Sequence, residues 1–366
     1  MPDPRLDALA AVICGYSLEI STGDIVRITG PASEAAFMTA VTREVTKAGA
    51  HPMLRPVLPS VEEAMLEHAS EEQLLAVTEI DWLEMRTPTK MLSIWADRNT
   101  RNLGHVPPER QALADRGRRE LFDLFIDRIA QGEVGWCGVT LPTQGFAQDA
   151  GMSLTEFEDF VFGAGHVADP DPVAYWKRQS ARQAEVIARL SQVSELRIVA
   201  ADTDLTVELA GREWLNADGR ENFPDGEVYT SPLEDRTRGH ISFSYDAMFG
   251  GRELSGVRLW FEDGRVTRHE AARGAEYLRE LLAMDEGAAR LGEVAFGMND
   301  EIQTSTRNVG FDEKIGGTCH VALGSAFPEA GGQNRSSLHL DMVCDLRGGG
   351  EVYGDGELIA RHGRFL

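Results

Sequence analysis

Positive charge is in short supply in this chain. Its 366 residues hold 36 Lys and Arg against 59 Asp and Glu, a formal net charge of −23 at pH 7. Such a polyanion repels phosphates, which argues against a nucleic acid or an anionic membrane as partner. A divalent cation or an amine-bearing substrate suits that field, and so does a merely solubilising acidic surface. Cysteine is scarce as well. Cys14, Cys137, Cys319 and Cys344 show no C-x-x-C spacing, so they read as reduced, mostly buried thiols and not as a disulfide framework. No apolar run approaches the ~20 residues that a membrane span needs. The opening stretch MPDPRLDALAAVICGYSLEI lacks the basic flank and small-residue cleavage site of a secretory signal. A soluble, cytoplasmic protein is the expectation. Also missing are a G-x-G-x-x-G after the first strand pattern and any G-x-x-x-x-G-K-[ST], which weakens a nucleotide or dinucleotide reading. No internal repeat and no low-complexity tract is visible.

What is present falls into two halves. Up to about residue 194, helical and strand patterns alternate. Helical periodicity covers 6–16, 32–48, 61–75, 153–162 and 174–190, and strand patterns cover 24–30, 51–58, 82–85, 91–95 and 134–139. That order predicts an open α/β layer. Beyond 194 the chain turns to short strands separated by Gly, Asn and Asp, with one helix at 275–282. The expectation is an α/β N-terminal domain, 1–194, followed by a β-rich α+β metal-binding domain, 195–366.

The chemistry concentrates in the second half. In Leu338-His339-Leu340-Asp341-Met342 the alternation of a strand sends His339 and Asp341 to one face and Leu340 to the other. The pair reads either as a satisfied His–carboxylate contact in a packed sheet or as part of a metal site. His320 lies in a second strand pattern, 318–323, which a glycine-rich turn would return beside the first. Glu227 opens a strand after the turn Phe223-Pro224-Asp225-Gly226. Glu293 is the lone acid in the near-continuous apolar run 290–297, where an ionised carboxylate is costly unless paired, with Arg290 or Lys314, or bound to metal. Together Glu227, Glu293, His320, His339 and Asp341 offer three carboxylates and two imidazoles. That set suits two adjacent divalent ions sharing a bridging carboxylate and a water. It contains no thiolate, so it is a hydrolytic type of site; Cys319 and Cys344 alternate onto the opposite face and read as core.

The stretches NADGRENFPDGEVYTSP, GAARLGEVAFGMN, FDEKIGGTCHVALG and SSLHLDMVCDL, in that order, resemble the aminopeptidase T (aminopeptidase S) family of dinuclear metallopeptidases. Weaker similarity covers Gly49-Ala50-His51-Pro52 and the stretches 136–143 and 147–152. The resemblance implies that Glu227, Glu293, His320, His339 and Asp341 fall on the family's metal-ligand positions. It also implies zinc, cobalt or magnesium as the metal, a homodimer enclosing the active sites, and release of N-terminal residues from peptides with a free N-terminus. Glu293, as the bridging carboxylate, and Glu313, as a proton carrier, are the candidate catalytic groups. Two departures stand out. Phe327 occupies a position seven residues after the first His where the family usually has Tyr. Gly226 precedes Glu227 where some branches have an acid. The connection between Phe327 and His339 is short. Two other readings stay open: a mononuclear Fe(II) ring-cleaving dioxygenase using His320, His339 and Asp341, and a non-catalytic metal-binding protein.

Overall fold

The computed structural model describes residues 3–366. Contact density divides it into two compact units. Of the described residues, the first comprises 3–148, 153–173 and 219–224, and the second comprises 149–152, 174–218 and 225–366.

The first unit is built on a five-stranded parallel sheet. Its order is His51–Val57, Ile25–Pro31, Lys90–Trp95, Gly135–Thr140 and Asn222–Phe223. Helices connect the strands, as a parallel sheet requires. Two of the segments that differ from the sequence expectation are set by capping boxes. Residues 82–85 lie within a helix, Glu79–Arg86, because Thr78 and Asp81 form a reciprocal capping box at its start. A second capping box, Ser70 with Gln73, splits 61–75 into the helices Pro59–His68 and Glu71–Leu75.

The second unit is a sandwich of two antiparallel sheets. One has eight strands, in the order Arg265–Glu270, Arg258–Glu262, Arg238–Ser242, Thr203–Glu208, Glu195–Ala200, Glu351–Gly354, Glu357–Arg361 and Arg364–Phe365. The other has five: His339–Asp345, Thr318–Gly324, Leu291–Gly297, Glu227–Thr230 and Leu215–Ala217. Leu196, Ile198, Leu205, Val207 and Leu259 of the first sheet share one core with Val228, Val294, Phe296, Val321, Leu323, Leu340 and Met342 of the second. Cys319 and Cys344 face each other across the ladder inside that core.

The units are not continuous in sequence: the second takes 149–152, the first takes 219–224, and the helix Pro172–Leu190 is divided near its start. From Ala174 onward it belongs with the second unit, tied there by two buried amides. Gln179 Nε2 donates to the Met298 carbonyl (2.9 Å). Gln183 Nε2 donates to the carbonyls of Ala217 (3.0 Å) and Glu227 (2.7 Å).

Candidate metal centre

Strand alternation gives the five-stranded sheet two unlike faces. In the ladders, Gly297 pairs with Glu227 and with Thr318, Ala295 with His320, Glu293 with Ala322, and Ala322 with Asp341; Gly324 pairs with His339. Directly opposed residues point the same way. Glu227, Glu293, His320, His339 and Asp341 therefore all rise from one face, opposite the apolar core. One local irregularity makes this possible. The register shifts between Leu291 and Glu293, so Leu291 pairs with Leu323 on the core side while Glu293 pairs with Ala322 on the other. Gly292 is the extra residue, and a Cβ there would lie 2.0 Å from the Ser325 carbonyl oxygen. Bulges of this kind re-aim a side chain beside a functional site.

The five residues meet as two three-donor sets that share Glu293. Glu293 Oε1 lies 3.5 Å from His320 Nε2, which is also 3.5 Å from Glu227 Oε2. Glu293 Oε2 lies 3.3 Å from His339 Nε2, which is 3.6 Å from Asp341 Oδ1. In each set the ligand atoms lie within 4.8 Å of one another. A third group, Glu313, His320 and Asp341, satisfies the same spacing, so Glu313 stands at this cluster too. His320 is fully buried, Glu227 is 5 % exposed and Glu293 3 %.

Several polar atoms of the cluster lack hydrogen-bond partners. Glu227 Oε2, His320 Nδ1 and Nε2, and Asp341 Oδ1 are buried without one. Buried polar atoms in folded proteins are nearly always satisfied, and unsatisfied ones ask for an explanation such as an ion. Oxygen and imidazole donors at this spacing fit divalent cations. The His339 ring is oriented from behind, its Nδ1 lying 3.0 Å from the Ser325 carbonyl, which leaves Nε2 for the gap.

The charge states follow from the same contacts. Burial pushes the Glu293 carboxyl up, but the two imidazoles outweigh it and hold it at about 2. Burial lowers both imidazoles, and the surrounding carboxylates outweigh that, raising His320 to about 9 and His339 to about 10. Glu227 goes well above the carboxylate range because burial dominates, and Asp341 rises to about 6 for the same reason. Glu293 differs from the other two because it alone sits between both imidazoles.

Three further residues belong to this cluster and were not singled out as site residues from sequence. Lys314 Nζ donates to Glu227 Oε1 (2.5 Å) and Glu313 Oε1 (2.7 Å) and lies 3.3 Å from Asp225 Oδ1. Lys314 is thus not the partner of Glu293, and neither is Arg290, whose Nη1 donates to the Glu234 carbonyl (2.7 Å). Asp225, fully buried, stands one place before the side-chain-less Gly226. Tyr229, two residues after Glu227 on the same face, sets its ring 4.9 Å from Phe327, and Phe327 lies 5.4 Å from the His339 ring, both edge-on. Tyr229 was readable from its spacing, since residues two apart on a strand share a face.

Comparisons with known proteins place the chain in a family of metalloproteases. The family profile described as "Thermophilic metalloprotease (M29)" matches residues 2–365. Aminopeptidase 2 of Geobacillus stearothermophilus is 26% identical over 93% of this chain and 92% of its own. Aminopeptidase T of Thermus aquaticus is 30% identical over 71% of this chain and 72% of its own. The solved structure of wild-type AmpT from Thermus thermophilus superposes with a TM-score of 0.86 at 26% identity, covering 99% of both chains. This chain belongs to the M29 thermophilic metalloprotease family.

Proposed function

We propose that this protein is a metal-dependent aminopeptidase that removes N-terminal residues from peptides with a free N-terminus. The sites of two divalent cations (zinc, cobalt or magnesium) would be formed by Glu227, Glu293 and His320, and by Glu293, His339 and Asp341. The observation that carries this reading is the disposition of Glu293: one oxygen faces each imidazole, as a carboxylate shared by two ions requires. A mononuclear iron site built from His320, His339 and Asp341 leaves the buried Glu227 and Glu293 without a role.

When bound, such a pair of cations lowers the pKa of water toward neutrality and draws electron density from the scissile carbonyl. The protein's own groups do the rest. Glu293 would be the carboxylate that both ion sites share. Glu313, held through Oε1 by Lys314, is the carboxylate assigned to pass a proton from the attacking water to the leaving amine. Phe327 sets an apolar ring edge against His339, so no hydroxyl from that position stabilises developing negative charge. The net charge of −23 favours approach of a substrate's α-ammonium and thereby an aminopeptidase over an endopeptidase. A homodimer is what the family resemblance suggests, and a cytoplasmic setting is what the unpaired cysteines suggest; no helix among the described residues is long and apolar enough to cross a membrane.

The test is turnover of a leucyl anilide by chelator-stripped protein after addition of zinc, cobalt, magnesium or iron(II), with bound ions counted per chain. Metal-dependent release at about two ions per chain, abolished by Glu293→Ala, supports the reading. One tightly bound iron with no release overturns it.

A further inference from the structure

Lys314 reaches the centre of the cluster by a backbone approach as well as by its long side chain. The Leu291–Gly297 strand ends at Gly297, which pairs with Glu227. A Cβ at Gly297 would lie 2.2 Å from the Ile315 carbonyl oxygen and 2.9 Å from the Lys314 carbonyl carbon. The absence of that Cβ lets the Lys314-Ile315 backbone lie against the ligand-bearing face. The segment is then fixed by Asn299 N donating to the Lys314 carbonyl (3.1 Å) and Gly317 N donating to that of Gly297 (3.1 Å). The lysine side chain is 1 % exposed, and its ammonium has carboxylate oxygens of Glu227, Glu313 and Asp225 within 3.3 Å.

The two oxygens of Glu227 consequently have different surroundings. Oε1 accepts from Lys314, while Oε2 has no partner and lies 3.5 Å from His320 Nε2. We propose that Lys314 is a positioning residue that occupies Glu227 Oε1 and so restricts Glu227 to one metal-binding oxygen, Oε2. A carboxylate with both oxygens free can chelate one ion and fill a coordination position that substrate or water needs; one tied to an ammonium binds through the other oxygen alone. Glu313 is held in the same way through its Oε1, leaving its second oxygen for proton transfer.

Charge leads to the same residue. Asp225, Glu227, Glu293, Glu313 and Asp341 against Lys314 leave four negative charges with the imidazoles neutral, which two divalent cations balance. Without the lysine a fifth buried charge would go uncompensated, an unfavourable state in a site this dry. The inference rests on the dinuclear reading of the site, and the experiment separates the two.

Wild type, Lys314→Met and Lys314→Arg are stripped and reloaded with cobalt(II), and ion count, visible spectrum, kcat and KM are measured. Lys314→Met should weaken the cobalt absorption as Glu227 becomes a chelating ligand. Its kcat should fall by about 100-fold with KM changed by less than about threefold, since the loss is one of placement. Lys314→Arg, which keeps the charge and a donor, should restore the wild-type spectrum and at least about a tenth of the turnover. A Met variant with the wild-type spectrum and kcat overturns the proposal. Should that variant not fold, the crystal structure of the cobalt-loaded wild type decides. Binding through Glu227 Oε2 alone, with Lys314 still on Oε1, supports it; binding through both oxygens, or no ion at Glu227, overturns it. A wild type holding a single ion refutes the dinuclear reading, and the way Glu227 binds that ion still decides for or against the lysine.

Discussion

Glu293 and Asp341 flank one alanine: each is paired with Ala322, Glu293 from the strand on one side and Asp341 from the strand on the other. The Ala322 side chain is fully buried and lies between two carboxylate positions on the ligand face. A larger side chain there would compete with the two acids for buried space. Ala322→Leu is expected to weaken metal binding by at least tenfold, and overpacking of this kind costs about 1–3 kcal/mol. Calorimetric titration with zinc, set beside the melting curve of the chelated protein, separates the two effects. Wild-type affinity in the variant would show that the acids are not held at this spacing.

Gly292 links backbone shape to a ring orientation. An added Cβ would collide with the Ser325 carbonyl, the group 3.0 Å from His339 Nδ1. Gly292→Ala should displace that carbonyl and free the His339 ring, lowering metal affinity by about 10- to 100-fold, the usual penalty for losing an orienting partner. Nitrogen NMR of the His339 ring reads the tautomer directly; an unchanged Nδ1–H signal together with unchanged affinity rejects the link.

Metal binding should release protons. With His320 raised to about 9 and His339 to about 10, both rings are imidazolium at pH 7 in the metal-free protein. A cation takes only the neutral ring and the ionised carboxylate, so about two protons leave the rings on binding, Glu227, raised by burial, adds to that release, and affinity climbs with pH between 6 and 8. Titrations in buffers of different ionisation enthalpy count those protons; a count near zero contradicts the assignment. The same raised values give the metal-free fold stability that is full below the unfolded imidazole value of about 6.5 and is lost as pH rises through 9 to 10. Chelated protein should accordingly melt lower at pH 10 than at pH 7, and metal-loaded protein should lose less.

Asp285 anchors the approach to His339 from outside the cluster. Its carboxylate accepts from the amides of Gly287 (3.0 Å), Ala288 (2.9 Å) and Ser337 (2.8 Å) and from the Ser336 hydroxyl (2.8 Å). The Ser337 amide, against a smaller opposing effect of burial, holds its pKa below the ordinary value. Stability from this group is therefore present above the unfolded value of about 3.9 and disappears as pH falls through the folded one. Asp285→Ala should cost about 2 kcal/mol at pH 7, given several bonds to a charged acceptor. The gap to wild type in urea unfolding should narrow as pH falls below about 3.9. Equal midpoints at pH 7 would refute this.

The face assignment was readable in sequence because it needs only alternation: His339 with Asp341, Glu227 at the start of a strand, Glu293 alone in an apolar run. The partners of Lys314 were not, since they depend on backbone at Ile315 passing over Gly297, a contact between segments that no periodicity records. The helix Pro108–Ala130 escaped for the opposite reason. Leu121 is its one buried residue, while Phe122 and Ile126 are exposed, so there is no apolar stripe to read. At 79–86 the short apolar run Trp82-Leu83-Glu84-Met85 suggested a strand, and the informative signal was Thr78 three places before Asp81.

The two-faced sheet also dictates where this protein's chain length can change. Within Thr318–Gly324 or His339–Asp345, inserting or deleting a single residue would exchange the faces beyond that point, sending ligands into the core and Val321, Leu323 or Met342 toward the acids. A substitution in these strands alters one side chain; an indel inverts every one that follows. Length variation is thereby confined to the connections, such as 325–338 and 346–350, and a relative with a gap inside either strand would have lost the metal centre even with every ligand letter still in its sequence.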